Sequence, residues 1–286
     1  MDTSITQIFE QHRPLLFGIS YRMVASAMEA EDILQEAFLR FQRASHTADI
    51  QAPRAYLVSI VTRLCLDHLK SASVQREQYT GTWLPEPILT DALPEPDHES
   101  LSMAFLVLLE SLNPVERAVF LLREVFDYDY AEIARWIDKS EEACRQIFSR
   151  AKKHVLDNRP RFQPSPEQQA QILSAFMAAC YAGDMDALKA ILSTDVSLWS
   201  DGGGRATAAL RPLHGFDGVV RFVLGIMKQA PLDAQYQARV VNGVLSLIVR
   251  DGAGQVVVVI VPEIEADGQL HTLRLIRNPD KFGHLG

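Results

Sequence analysis

Residues 130–155 read YAEIARWIDKSEEACRQIFSRAKKHV, two helical periods broken by a short turn. In the first, Ile133, Ala134 and Ile137 recur at helical spacing. Ser140 is placed to cap the second, and its opening turn carries Glu141 and Glu142, acids that suit the positive end of a helix. Cys144, Phe148 and Ala151 follow at i, i+4 and i+7 as an inward side. Arg145, Gln146, Ser149, Arg150, Lys152 and Lys153 are left outward. A helix-turn-helix uses this pattern: its second helix enters the major groove, basic side chains meet phosphates and polar ones reach base edges. A plain helical hairpin with a solvated basic face has the same spacing.

The chain has 286 residues and a net charge of −8, which alone argues against a nucleic-acid partner. Its distribution says otherwise. Seven acidic residues and no Lys or Arg lie between Glu77 and Glu110, whereas Arg135–Arg161 holds eight basic residues against four acidic ones. A hydrophobic content of 48% is enough to bury real cores. The apolar run QVVVVIVPEI (255–264) is too short to span a bilayer and reads as a strand. MDTSITQIFEQHR lacks the pattern of a signal peptide. Cys65, Cys144 and Cys180 are odd in number and widely spaced, which suggests buried thiols in a reducing compartment. The expectation is a cytoplasmic protein with no metal, no cofactor and no membrane partner.

Outward from the opening stretch, helices are expected over most of 3–75: SITQIFEQHRPLLFGISYRMV, then 29–44 with Ile33, Leu34, Ala37, Phe38 and Phe41 inward, then 52–72 with Pro53 in its first turn. An acidic, proline-rich linker follows, YTGTWLPEPILTDALPEPDHES, with prolines at 85, 87, 94 and 96. One helix is expected over 99–112, and Asn113-Pro114 starts the next. RPRFQPSPEQQ (159–169) marks a second boundary. Beyond it come two helices, a strand at DVSLWS, a helix over 216–230, and four strands punctuated by Asn-Gly and Asp-Gly turns. That order implies helices on a curved antiparallel sheet. The expected domains are 1–75, a linker 76–98, 99–160 and 166–286.

On the second helix, Asp32, Gln35, Glu36, Leu39 and Arg43 share a face opposite the apolar side. An exposed leucine among carboxylates suits a docking surface, and equally a solvated helix. Taken together, AEDILQEAFLRF resembles region 2.2 of bacterial sigma factors, PRAYLVSIVTRLCLDHLKS resembles regions 2.3–2.4, and LNPVERAVFLLREVFDYDYAEIARWIDKSEEACRQIFSRAKKH resembles region 4. Regions 2 and 4 without 1 and 3 resemble the extracytoplasmic-function (ECF) sigma factors. The resemblance implies a multidomain chain, two all-α modules (σ2 and σ4) ahead of a further domain. It implies core RNA polymerase, through its β′ clamp and β flap, and promoter DNA as partners. Asp32, Gln35, Glu36, Leu39 and Arg40 would contact polymerase; Arg54, Tyr56, Arg63, Asp67 and Lys70 would face the −10 element. Arg145, Gln146, Ser149, Arg150, Lys152 and Lys153 would read the −35 element. Arg63 and Asp67, at i and i+4, also suit a surface ion pair. Asp138 stands where many members of the family have glycine.

The tail resembles the SnoaL-like (NTF2-like) α+β cone. WLPEP (Trp83, Leu84, Pro85, Glu86, Pro87), DGGGR (Asp201, Gly202, Gly203, Gly204, Arg205) and NPDKF (Asn278, Pro279, Asp280, Lys281, Phe282) together resemble the ECF group with a fused SnoaL-like domain, group 41. That implies intramolecular control of the sigma modules by the tail. Consecutive glycines permit positive φ and amides facing a carboxylate, and equally a flexible turn. Trp83 between stiff prolines is expected to anchor on Asp201–Arg205 or Asn278–Lys281. Cone relatives acting as enzymes need a buried acid or base, for which Asp201, His214 and Asp186 are the candidates. The reading is a non-enzymatic sigma factor; a helix-turn-helix regulator with a tail for an unknown small ligand is the alternative.

Overall fold

The computed structural model describes residues 3–77, 79–91, 98–158 and 164–285. In chain order the helices are α1 (Thr3–Val24), α2 (Ala27–Ser45), α3 (Pro53–Glu77), α4 (His98–Leu101), α5 (Met103–Leu109), α6 (Pro114–Phe120), α7 (Tyr130–Ile137), α8 (Glu141–Asn158), α9 (Pro166–Ala182), α10 (Met185–Ile191) and α11 (Phe216–Lys228). The strands are β1 (Leu192–Asp201), β2 (Leu213–His214), β3 (Gln235–Val241), β4 (Val244–Arg250), β5 (Val256–Ile264) and β6 (Leu270–Ile276). The chain divides into two compact units, 1–77 with 105–159, and 78–104 with 160–286.

In the first unit α1–α3 pack on one another around Leu16, Ile19, Tyr21, Leu34, Phe41 and Leu57, all fully or almost fully buried. Ser26 caps α2 by accepting from Glu29 N at 3.2 Å, and Pro53 opens α3 where its missing N–H costs nothing. Asn113 and Glu116 form a capping box at the start of α6, which runs into a π-helical turn over Leu121–Val125. Asp138, at φ 56° and ψ 56°, ends α7 in the left-handed conformation, and Ser140 Oγ accepts from Ala143 N at 3.1 Å to start α8. The helix-turn-helix is therefore present, with its inner face turned by one residue from expectation. Trp136 is buried and Ile137 only half-buried, because the Trp136 ring meets Tyr128 edge-on at 4.8 Å. Likewise Ile147 is buried and Phe148 sits at the margin, stacked on Phe120 at 6.3 Å.

In the second unit the sheet runs β2-β1-β6-β5-β4-β3. It is mixed, not antiparallel throughout: β1 pairs parallel with β6, since the chain returns beside β1 only after the crossover through α11 and β3–β5. Leu173 and Phe176 of α9 and Val219 and Val223 of α11 pack onto the inner sheet face, against Leu198, Val249, Leu273 and Leu275. This is the α+β cone expected of the tail. Asn242 and Gly243, both at positive φ, make the two-residue β3–β4 turn their sequence calls for. The helix expected over 99–112 is broken at Ser102, and Asn242 Nδ2 takes the Leu101 carbonyl at 2.9 Å, an oxygen that a continuous helix spends internally.

Candidate nucleic-acid interface and linker seat

The six outward residues of α8 lie together on one side. Arg145 pairs with Glu141 at 3.0 Å and its guanidinium stands 5.2 Å from the centre of the Tyr130 ring. Lys152 reaches both carboxylate oxygens of Glu124 at 2.9 Å. Gln146, Ser149, Arg150 and Lys153 are exposed. Tyr130, Phe148 and Leu156 complete the floor of a groove of about 550 Å³ alongside them. A surface of exposed cations, held only by one-step neighbours, can exchange those neighbours for phosphates at little cost.

On α2, Asp32, Gln35, Leu39 and Arg40 are exposed, and Glu36 pairs with Arg40 at 2.7 Å. On α3, Tyr56 is exposed and Lys70 pairs with Asp67 at 3.3 Å. The suggested Arg63–Asp67 pair is replaced: Arg63 donates from Nε to the Trp136 carbonyl at 3.1 Å and from Nη2 to the Arg135 carbonyl at 3.3 Å. Arg54 lies over the Tyr128 ring at 5.5 Å.

The linker has a built seat on the tail. Strand register sets Asp201, Ile276, Val259 and Ile248 in a row across β1, β6, β5 and β4, on the face away from the helices, and all four are fully buried. Leu84 N donates to Asp201 Oδ2 at 2.9 Å at one end of that row. At the other side, Ile88 N donates to Asn242 Oδ1 at 3.1 Å and Asn242 N to the Ile88 carbonyl at 3.0 Å. Four residues of extended chain reach roughly 14 Å, about three strand spacings, so Leu84–Ile88 is the right length to cross the sheet. All five residues of that stretch are buried. Leu89 then bridges to Val241, and Asp91 accepts from Val240 N at 2.8 Å and pairs with Arg239 at 2.9 Å.

The Asp201 end carries the charge. Lys281 Nζ donates to Asp201 Oδ2 at 2.7 Å and also to the Leu84 carbonyl, and it stands 4.3 Å from the centre of the Trp83 ring. Tyr79 OH donates to Asp201 Oδ1 at 2.6 Å and accepts from Asn278 Nδ2 at 3.0 Å. Burial, then the adjoining Asp201 carboxylate, push the Tyr79 phenol well above its usual range. The glycine run is required by packing: a Cβ on Gly202 would meet the Ala206 carbonyl oxygen at 2.2 Å, and one on Gly203, at φ +57°, would meet Asn278 Nδ2 at 2.3 Å. The Gly203 amide faces the Asp201 carboxylate at 3.1 Å. Gly204 faces Thr80, and Arg205 pairs with Asp280 at 2.8 Å in the open. Pro279 opens the short 3₁₀ turn that Asn278 caps.

One expectation is corrected here: Trp83 meets Lys281, but it is not the buried anchor. The buried anchor is Leu84, fully enclosed, whereas Trp83 is half-buried and works as a face for the Lys281 ammonium. Tyr79 and Asn242 were missed, the first being an unremarkable residue before the tryptophan and the second fully explained by its turn. Of the linker acids, Asp91 is tied to the tail, while Glu95 and Asp97 lie outside the described residues.

Residues 8–74 match the family model for Sigma-70 region 2, and residues 102–155 match that for Sigma-70, region 4. Over 289 aligned residues the chain is 38% identical to the ECF RNA polymerase sigma factor SigJ of Mycobacterium tuberculosis, covering 96% of this chain and 92% of that one. The chain belongs to the extracytoplasmic-function sigma factors. The crystal structure of the M. tuberculosis SigJ factor matches with a TM-score of 0.77 and 34% identity, over 98% of both chains. M. tuberculosis SigG is 28% identical over 96% of this chain and 78% of its own. The promoter-directing reading of these helices is thereby favoured over a stand-alone regulator.

In this sigma factor none of Asp201, His214 and Asp186 lines the apolar cavity of the tail. Asp201 is committed to the linker, His214 is exposed, and the Asp186 side chain is 98% exposed. That apolar cavity, of about 40 Å³, lies inside the tail between Phe176, Met227, Tyr236 and Val258. Burial pushes the Cys65 and Cys180 thiols up to about 12, which disfavours the thiolate form. No helix among the described residues is long and apolar enough to cross a membrane.

Proposed function

We propose that this chain is a promoter-specificity subunit of a bacterial RNA polymerase whose SnoaL-like tail governs it by holding the σ2–σ4 linker. Asp32, Gln35, Glu36, Leu39 and Arg40 dock on the polymerase β′ clamp, and the σ4 module meets the β flap. Arg54, Tyr56, Arg63, Asp67 and Lys70 serve the −10 element, and the α8 face serves the −35 element. Catalysis belongs to core polymerase, and the chain has no turnover of its own. Control by the tail rests on one observation: Leu84–Ile88 is buried and hydrogen-bonded at both ends by tail residues. A linker seated there has its backbone groups and apolar side chains already occupied, so polymerase must displace it to thread it. The test is a start-site-specific transcription assay with core polymerase, run beside a gel shift without it. Full chain should give transcript with core and negligible shift alone, and the Arg145→Ala/Arg150→Ala chain should lose the transcript. A strong, specific shift without core would instead support the stand-alone regulator.

A further inference from the structure

Arg145 on α8 is held by two partners that respond differently to a DNA acceptor. Its Nη2 donates to Glu141 Oε2 at 3.0 Å, and its guanidinium carbon lies over the Tyr130 ring, 5.2 Å from the centre. A carboxylate takes the N–H groups that a phosphate or a base would otherwise receive. A ring does not, because a cation–π contact draws on charge and leaves those donors free. Tyr130 is itself held in place. Arg123 lies over the same ring at 5.3 Å, tethered from Nη1 to the Tyr128 carbonyl at 3.0 Å and to Asp127 at 3.3 Å. Phe148 meets the ring edge-on, with centres 6.0 Å apart, and stacks in turn on Phe120. Tyr130 is the first residue of α7, where Glu132 accepts from the Asp129 amide at 3.4 Å, so no capping role falls to the tyrosine side chain. Half-buried, it lines the groove that Arg145 and Ser149 border. Lys152 has the same two kinds of partner, Glu124 and the Phe148 ring at 5.4 Å. Its ammonium is a point charge and needs no set plane, whereas a guanidinium is a planar fork whose reading of a base edge depends on orientation.

We infer that Tyr130 is a positioning residue for promoter reading: its ring sets the plane of the Arg145 guanidinium, so that Arg145 chooses among bases of the −35 element and does not merely add charge. This rests on the promoter reading proposed above. As DNA approaches, Glu141 gives up the Arg145 N–H groups while the ring keeps its hold, and the fork arrives oriented. Without the ring Arg145 keeps its charge and regains its rotamer freedom. It then holds phosphate well and discriminates bases poorly. The first helix of the helix-turn-helix thus takes part in sequence choice through an arginine of the second.

The experiment is transcription by the full chain with core polymerase from a promoter library randomised through both elements, each promoter tagged by a transcribed barcode. The parent should enrich defined base pairs, and Arg145→Ala should mark the positions Arg145 reads by flattening their preference. Tyr130→Leu should flatten those same positions by about two- to fivefold, the share that an exposed cation–π contact supports, and change the others little. Tyr130→Met, a second variant without a ring, should behave alike, and Tyr130→Phe, which keeps the ring, should retain the parent's preferences. In the Arg145→Ala chain, Tyr130→Leu should add nothing further. A uniform drop at every position in both ringless variants, preferences equal to the parent's, or no position flattened by Arg145→Ala each overturns the role of Tyr130. A parent that enriches no −35 sequence overturns the promoter reading itself.

Discussion

The α8 face and the linker seat were both marked by short motifs, and they are built in opposite ways. On α8 the charges are exposed and each leans on a near neighbour, as Arg145 does on Glu141 and Lys152 on Glu124. In the seat, Asp201 is fully buried and receives Lys281, Tyr79, the Leu84 amide and the Gly203 amide. Exposed pairs are worth about 1 kcal/mol or less, so the α8 cations can trade partners freely. A buried ion is held by everything around it, because removing any one donor leaves the rest desolvated. The tail's grip on the linker is thus a firm contact, and the charge pairing on the α8 face a labile one.

The sharpest way to break the comparison is Lys281→Met, which strands Asp201 without its cation. It should cost about 3–5 kcal/mol of tail stability, read from denaturant unfolding of the full chain. Combined with Asp201→Asn, the loss should be clearly less than the sum of the single changes. Leu84→Ala comes next: truncating a fully buried leucine should cost about 2–4 kcal/mol, and the loosened linker should become more sensitive to protease. Arg239→Gln removes only a partly exposed pair with Asp91, so unfolding should shift by about 1 kcal/mol or less.

The smallest effect is pH-dependent and lies outside both regions. Burial pulls the His271 pKa down, but the carboxylates of Asp267, Glu265 and Asp195 outweigh it and hold it above the ordinary value. A histidine raised in the folded state stabilises fully below its unfolded pKa of roughly 6.5, and that contribution fades as pH rises through the folded value. His271→Gln should therefore lower the unfolding midpoint at pH 6 and match the parent at pH 9. An equal loss at both values would mean the ring matters for packing alone.

Much of this was readable from the chain because it rests on side-chain types. Asp138 in the turn, Ser140 as a cap, and Asn-Gly between β3 and β4 each announce a backbone geometry. So did the glycines of DGGGR, although only the structure distinguishes a flexible turn from one whose Cβ positions are filled by Ala206 and Asn278. The Arg63 bonds to the Arg135 and Trp136 carbonyls were not readable, since their acceptors are main-chain carbonyls, which every residue has. The parallel β1–β6 pairing escaped too, because strand patterns record a buried face and not the direction of a neighbour. Leu84 was overshadowed by Trp83: size suggested the anchor, but Leu84 is fully buried and Trp83 only half-buried.

Backbone exchange over residues 82–91 tests the linker seat most directly. The amides of Leu84, Ile88 and Thr90 have tail acceptors, so this segment should exchange slowly in the free full chain, and far faster in Lys281→Met under conditions where the sheet remains protected. Exchange in the free parent at the rate of an unstructured peptide would contradict the seat, and with it the proposed control by the tail.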